Sequence, residues 1–338
     1  MFHSGFVLRR DDVDRAPGTD ARSALTPHMR EYDAQFSDAG EIRWMPYIMC
    51  FHPADYRSSV VNTDSLGFRF TMCDGQPIAV DGYGPRGAVN VLAGSSTTFG
   101  IGASSDSATI PSRLNLHSAG RSAPWINMGG RSHNSAQELL LHVLLRHRLP
   151  EIGQIVVFSG FNDLGLARLP AALRFESGAF FLCNAFFERL EGKSAATGGE
   201  ILGLDQQIRY AAGLVLRHLD VWRALADDAG AKLTYVLQPL ASWVRERGTE
   251  EEEALFSYLD ELGHFSDTYG DISRCDVGER YAHLLREGCE QLGIGFADMA
   301  PLIAAALEPT DWMFVDRIHF TDFGYDLAAR LLLDEVLG

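Results

Sequence analysis

Two short segments carry side chains whose types and spacing suit nucleophilic catalysis, and two more offer donors to a developing negative charge. Ser96 lies in Gly94-Ser95-Ser96-Thr97-Thr98-Phe99-Gly100, where the glycines permit a tight turn and close approach of backbone to a ligand. A serine hydroxyl is a weak nucleophile until a base takes its proton. Asp316-Arg317-Ile318-His319 supplies a base with a carboxylate three residues ahead of it. One turn of chain presents both side chains on the same side. A carboxylate there fixes the imidazole tautomer and stabilises the imidazolium. Gly160-Phe161-Asn162-Asp163 offers a side-chain amide to an oxyanion, and Asn127-Met128-Gly129-Gly130-Arg131-Ser132 offers backbone N–H groups on a small-residue loop. Each segment also has a plain reading: a hydroxyl-rich turn, a surface Asp–His hydrogen bond, an Asn/Asp turn and a βα turn.

The elements that must position these residues follow from hydrophobic patterning. Short apolar runs at 88–93, 124–127, 154–158, 232–237 and 294–296 read as buried strands. Between them lie helical patterns at 109–116, from Ser135 onward, at 206–229 and across 241–292, with a last helix at about 325–336. Ser135 and Glu138 have capping-box spacing. Strands separated by helices imply a parallel sheet covered on both faces, with the loops after the strands gathered on one edge. All four segments fall on that edge.

Residues 1–86 have weak periodicity and read as an N-terminal extension packing on the core. Within them, 43–51 suits a buried segment, and Asn62 to Arg69 a turn leading into a short strand. Gly82, Gly84, Pro85 and Gly87 mark the boundary to a main domain at 87–338. That domain carries insertions at about 164–205 and 241–292. Phe180, Phe181, Phe186 and Phe187 in the first suit core or cap packing, or an acyl-pocket lining. The acidic run at 250–253 reads as a solvated face.

Composition narrows the functional classes. The chain has 338 residues, 46% hydrophobic and 22% charged, which supports a sizeable core. A net charge of −16 without any Lys/Arg block disfavours nucleic acid as a partner. No run of eighteen apolar residues reads as a membrane span, and the N-terminus lacks a secretory h-region. Five cysteines at 50, 73, 183, 275 and 289 fit no zinc spacing, so a reduced, cytoplasmic protein is expected. Gly192-Lys193-Ser194 lacks the earlier glycine of a P-loop, with Phe187 in its place, and His142 and His147 are wrongly spaced for one face of a zinc site. No metal, nucleotide or other cofactor is expected.

In chain order, the four segments resemble the four-block signature of the SGNH (GDSL) hydrolases. The first block, Gly-Asp-Ser-x-Thr-x-Gly, is similar to 94–100, and the second, Asn-x-Gly-x-x-Gly, to 127–132. Gly-x-Asn-Asp is matched fully at 160–163 and Asp-x-x-His at 316–319. The resemblance covers roughly 88–338, with strong matches only inside the blocks. It implies a flavodoxin-like three-layer α/β/α fold. Ser96 would be the nucleophile, His319 the base and Asp316 its orienter. The oxyanion hole would use the Ser96 N–H, the Ser132 N–H (or Gly130 in a tighter loop) and the Asn162 side chain. Two positions depart from the pattern: Ser95 replaces the usual Asp, and Ser132 the second-block glycine. The spacing to Thr98 and Gly100 selects Ser96 over Ser95.

The expected activity is cleavage of a small-molecule or carrier-bound acyl ester or thioester through acyl-Ser96. The alternatives are acyl transfer to an alcohol or amine by the same residues, and a catalytically silent binding module.

Overall fold

The computed structural model of the chain describes residues 21–36, 43–82, 87–183, 186–188, 198–263, 265 and 269–337. The expectations for the N-terminus, for Gly84 and Pro85, and for Gly192-Lys193-Ser194 lie outside the described residues.

Two small antiparallel hairpins come first: β1 Arg43–Met45 with β2 Met49–Phe51, and β3 Thr71–Cys73 with β4 Gln76–Ile78. The main sheet follows, built from β5 Val89–Gly94, β6 Trp125–Gly129, β7 Ile152–Ser159, β8 Lys232–Leu237 and β9 Gly295–Asp298. All its pairings are parallel and its order is β6-β5-β7-β8-β9. Counted from β5 this is the 2-1-3-4-5 order of flavodoxin-like sheets, whose ligands bind where the winding reverses, between the first and third strands. Here that point lies between β5 and β7. Gly94 pairs level with Gly129 and Phe158, so the loops carrying Ser96, Ser132 and Asn162 leave the sheet side by side.

The helices are α1 Ala21–Leu25, α2 Met29–Gln35, α3 Ser96–Phe99, α4 Ile110–His117, α5 Ser135–Leu145 and α6 Phe161–Leu166, then α7 Leu204–Ala229, α8 Ala241–Val244, α9 Glu250–Gly263, α10 Cys275–Leu292, α11 Met299–Ala306 and α12 Asp322–Leu331. α7 packs against α5 and α10, and α12 against α4 and α11, giving the two helical layers around the sheet. α7 buries Ile208, Ala211, Ala212, Val215, Leu219 and Trp222 along one stripe, as a 3.6-residue period requires. β5 is buried along its whole length, which is why it reads in sequence as a short apolar run, broken only by Asn90, whose amide donates to the Ala123 carbonyl at 2.8 Å.

Residues 206–229 and 109–116 form helices within two residues of the expected bounds. The capping box before α5 sits one residue earlier than expected. Asn134 accepts from the Gln137 N–H at 2.9 Å, and Gln137 Oε1 accepts from the Asn134 N–H at 3.2 Å. Glu138 is instead buried, taking the Ser159 hydroxyl at 2.6 Å, and burial pushes its carboxyl well above the usual range. Among the described residues, no helix is long and apolar enough to cross a membrane.

Candidate active site

Ser96 opens α3 directly after β5. Gly94 brings the chain so near β7 that a Cβ there would lie 2.1 Å from the Phe158 carbonyl oxygen and 2.3 Å from Thr98 Oγ1. Only glycine fits. The two adjacent hydroxyls part at this turn. Ser95 Oγ is buried and donates to Gln238 Oε1 at 3.1 Å, whereas half-buried Ser96 places Oγ 2.8 Å from His319 Nε2.

His319 Nδ1 is 2.8 Å from Asp316 Oδ2, and Asp316 Oδ1 accepts the N–H groups of Ile318 and His319 at 2.8 and 2.7 Å. Burial alone would raise the Asp316 carboxyl. The adjacent His319, its hydrogen bond and the Arg22 charge outweigh burial and hold Asp316 below the usual carboxylate range. An ionised carboxylate only accepts, so Nδ1 carries the imidazole proton and Nε2 is left to accept from Ser96.

Glu252, in the acidic run, corrects the expectation of a solvated face. It is 1% exposed. Its Oε1 accepts the N–H groups of Met313 and Phe314, each at 2.9 Å, while Oε2 takes Arg245 Nη2 at 2.6 Å and the Thr249 N–H at 3.0 Å. One buried carboxylate thus pins the segment that delivers Asp316. The signal is Thr249-x-x-Glu252, a capping-box pattern that opens just before the acidic run.

The loop after β6 uses its N–H groups in turn. Gly130 donates to the Gly94 carbonyl at 2.9 Å and Arg131 to His52 Nε2 at 3.0 Å. Gly130, the alternative donor, is therefore occupied. Ser132 adopts φ 57°, the left-handed conformation that a glycine takes most readily. Asn162 Nδ2 donates to the His133 carbonyl at 2.7 Å, which orients the amide and leaves its second N–H. Asp163 ties the neighbouring helix down, accepting the Ser135 N–H at 3.0 Å and its hydroxyl at 2.6 Å.

His52 holds this loop from the N-terminal region. Its Nε2 accepts a backbone N–H, so Nδ1 must donate to the Gly67 carbonyl, 3.0 Å away. Burial, with the Arg131 and His133 charges, keeps its pKa well below the ordinary value. His52→Phe retains the ring packed 3.9 Å from Phe99 but strands the Arg131 N–H. We expect a loss of about 1–3 kcal/mol in urea unfolding.

Ser96, Ser132, Asn162, Asp316 and His319 all border one pocket of about 60 Å³. Its other walls include Ile101, Arg131 and Ile318, in or beside the expected blocks, together with Tyr269 and with Arg22, Met29, Tyr32, Asp33 and Phe36 from the N-terminal region, where no site residue was expected. Phe181 also lines it, in keeping with the acyl-pocket option for the Phe-rich segment. In the rest of that segment Phe186 meets Phe180 and Phe187, ring centroids 5.7 and 5.4 Å apart, and Trp44 of β1 at 5.7 Å. The contributions of the N-terminal region carried no sequence signal, since each rests on one side chain far in sequence from its partners.

No protein-family profile and no curated protein matches the chain. Among solved structures, it is similar to a lipase/acylhydrolase from Enterococcus faecalis, at 16% identity over 73% of this chain and 94% of that one, with a TM-score of 0.40. It is also similar to a member of the lipolytic protein G-D-S-L family from Veillonella parvula, at 13% identity over 74% and 98%, TM-score 0.43. A third is an extracellular lipase from Streptomyces rimosus, at 15% identity over 74% and 100%, TM-score 0.41.

Proposed function

We propose that this chain is a serine hydrolase of the SGNH (GDSL) type, cleaving an acyl ester or thioester through an acyl-Ser96 intermediate. The carrying observation is the unbroken hydrogen-bonded line from Ser96 Oγ through His319 to Asp316, at a pocket that Ser132 and Asn162 also border. Ser96 Oγ attacks the acyl carbonyl while His319 Nε2 takes its proton. The tetrahedral oxyanion accepts hydrogen bonds from the Ser96 and Ser132 N–H groups and from Asn162 Nδ2. The oxyanion collapses, and the leaving alcohol or thiol takes the proton from His319. Water then attacks acyl-Ser96 with His319 again as base, releasing the acid and restoring the serine. Each oxyanion donor contributes on the order of 10²–10³ in rate.

Pocket size supports a short acyl group. Pockets for drug-sized ligands measure roughly 300–1,000 Å³, whereas this one holds about 60 Å³. We expect p-nitrophenyl acetate to be cleaved at least about tenfold more efficiently than the octanoate, since each extra methylene must find space in a packed wall. Equal or greater efficiency on octanoate contradicts the short-acyl reading.

Acyl transfer is the second reading, favoured by the pocket roof. Met29 and Phe36 from the N-terminal region, Phe181 and Tyr269 all wall the site, and a covered acyl-enzyme is shielded from water. Product analysis with and without an alcohol or amine acceptor separates the readings. Hydrolysis that no acceptor suppresses excludes transfer.

A further inference from the structure

Arg22 has a nitrogen that the steps above do not use. The residue is 5% exposed, and its Nε and Nη2 grip the two oxygens of Asp33, each at 2.7 Å. A guanidinium is planar with its five N–H donors in a fixed fork. Pairing sideways with Asp33 leaves Nη1 outside that contact. Nη1 is itself buried and has no hydrogen-bond partner. A desolvated, unpaired donor on a permanent cation is costly, and such an atom at a native site calls for a group that completes it.

The surroundings define that group. Arg22 borders the same pocket as Ser96, His319 and Asn162. Both carboxylates on the lining are engaged, Asp33 with Arg22 and Asp316 with His319 and two backbone N–H groups. Arg131 adds a second guanidinium to the walls. In a site this enclosed, the strongest partner for Nη1 is an ionised oxygen, through a charge-assisted hydrogen bond.

We propose that Arg22 is a substrate-recognition residue whose Nη1 binds a carboxylate carried by the ester, so that the substrates are short esters with a free acid group. The inference deepens the proposed hydrolase activity and rests on it for the identity of the bond cleaved. The acid group sits on the acyl side or the alcohol side, and the test distinguishes the two.

Matched esters read the preference by pH-stat: monomethyl succinate against methyl butyrate for the acyl side, and acetoxyacetate against propyl acetate for the alcohol side. For one pair, wild-type kcat/KM should be at least about tenfold higher for the acid than for its neutral partner. Arg22→Lys keeps a positive charge against Asp33 but removes Nη1, and Arg22→Gln removes the charge as well. In both variants the ratio should fall towards one. Each ratio is taken within one protein, so a smaller folded fraction cancels. Calorimetric titration with succinamate and butyramide, and with the non-hydrolysed amide N-acetylglycine against N-propylacetamide, reads the same preference without turnover. A wild-type preference absent from both pairs and both titrations overturns the inference, as does a preference that survives Arg22→Lys unchanged. Labelling of Ser96 by a fluorophosphonate is measured alongside. Labelling without carboxylate preference overturns the role of Arg22 alone, whereas absence of labelling overturns the hydrolase reading.

Discussion

Ser96→Ala and His319→Ala are each expected to lower kcat for ester hydrolysis by at least a hundredfold, and to on the order of 10⁴ or beyond where the chemical step limits turnover. The first removes the atom that forms the covalent bond. The second removes the base 2.8 Å from it, and the adjacent hydroxyl, Ser95, faces Gln238 rather than the imidazole, so it does not stand in for the nucleophile. The two losses should not add, because a nucleophile and its base act as a unit. Asp316→Asn should cost less than either, since it perturbs the tautomer and the imidazolium while Ser96 and His319 remain. Ser95→Ala is the internal control, with kcat kept within about a factor of ten because its hydroxyl stabilises a turn rather than the reaction. Steady-state kinetics on p-nitrophenyl acetate check the set.

Arg69→Met should destabilise the protein by about 3–5 kcal/mol, read from urea or thermal unfolding. Arg69 is fully buried and meets Asp106 at 2.8 Å. Its remaining N–H groups reach the Tyr32 hydroxyl at 2.9 Å and the carbonyls of Gly100 and Val60, each at 2.8 Å. Gly100 closes α3, the helix that begins with Ser96. The guanidinium therefore joins the N-terminal region to the C-terminal end of the nucleophile turn. A methionine fills the space but leaves Asp106 buried with its Arg69 bond unmade, beside several unpaired carbonyls. The double variant Arg69→Met with Asp106→Leu should recover part of the loss, because the penalty lies mainly in the orphaned charge.

The sheet was legible because its strands are buried on both faces and appear as short apolar runs between helical periods. β5, β7 and β8 lie within two residues of the expected bounds. Three of the four blocks were legible because they follow the ends of β5, β6 and β7, where the winding reverses; the fourth, 316–319, lies instead in the loop between α11 and α12 and was legible from its Asp-x-x-His spacing alone. The proposed choice of Ser132 over Gly130 needed a backbone: it rests on the left-handed φ of 57° at Ser132 and the occupied N–H of Gly130, and no spacing rule conveys either. Arg22, His52 and Arg69 stayed illegible for a common reason. Their neighbourhood is built from three-residue strands and short helices, too brief for periodicity, and their hydrogen-bond partners, such as Asp33 for Arg22 and Asp106 for Arg69, lie at no helical or strand spacing. Glu252 was hidden differently, as one inward carboxylate in a run of four identical residues.

The most direct test of the account is covalent labelling. A fluorophosphonate probe phosphonylates a serine only where a base activates it and donors receive the phosphoryl oxygen, so it requires Ser96, His319 and the Ser132/Asn162 donors together. Mass spectrometry of the digested adduct should place the probe on Ser96, with labelling abolished in Ser96→Ala, slowed at least about a hundredfold in His319→Ala, and retained in Ser95→Ala. A label on Ser95, labelling of Ser96→Ala equal to wild type, or no label at all would contradict the account.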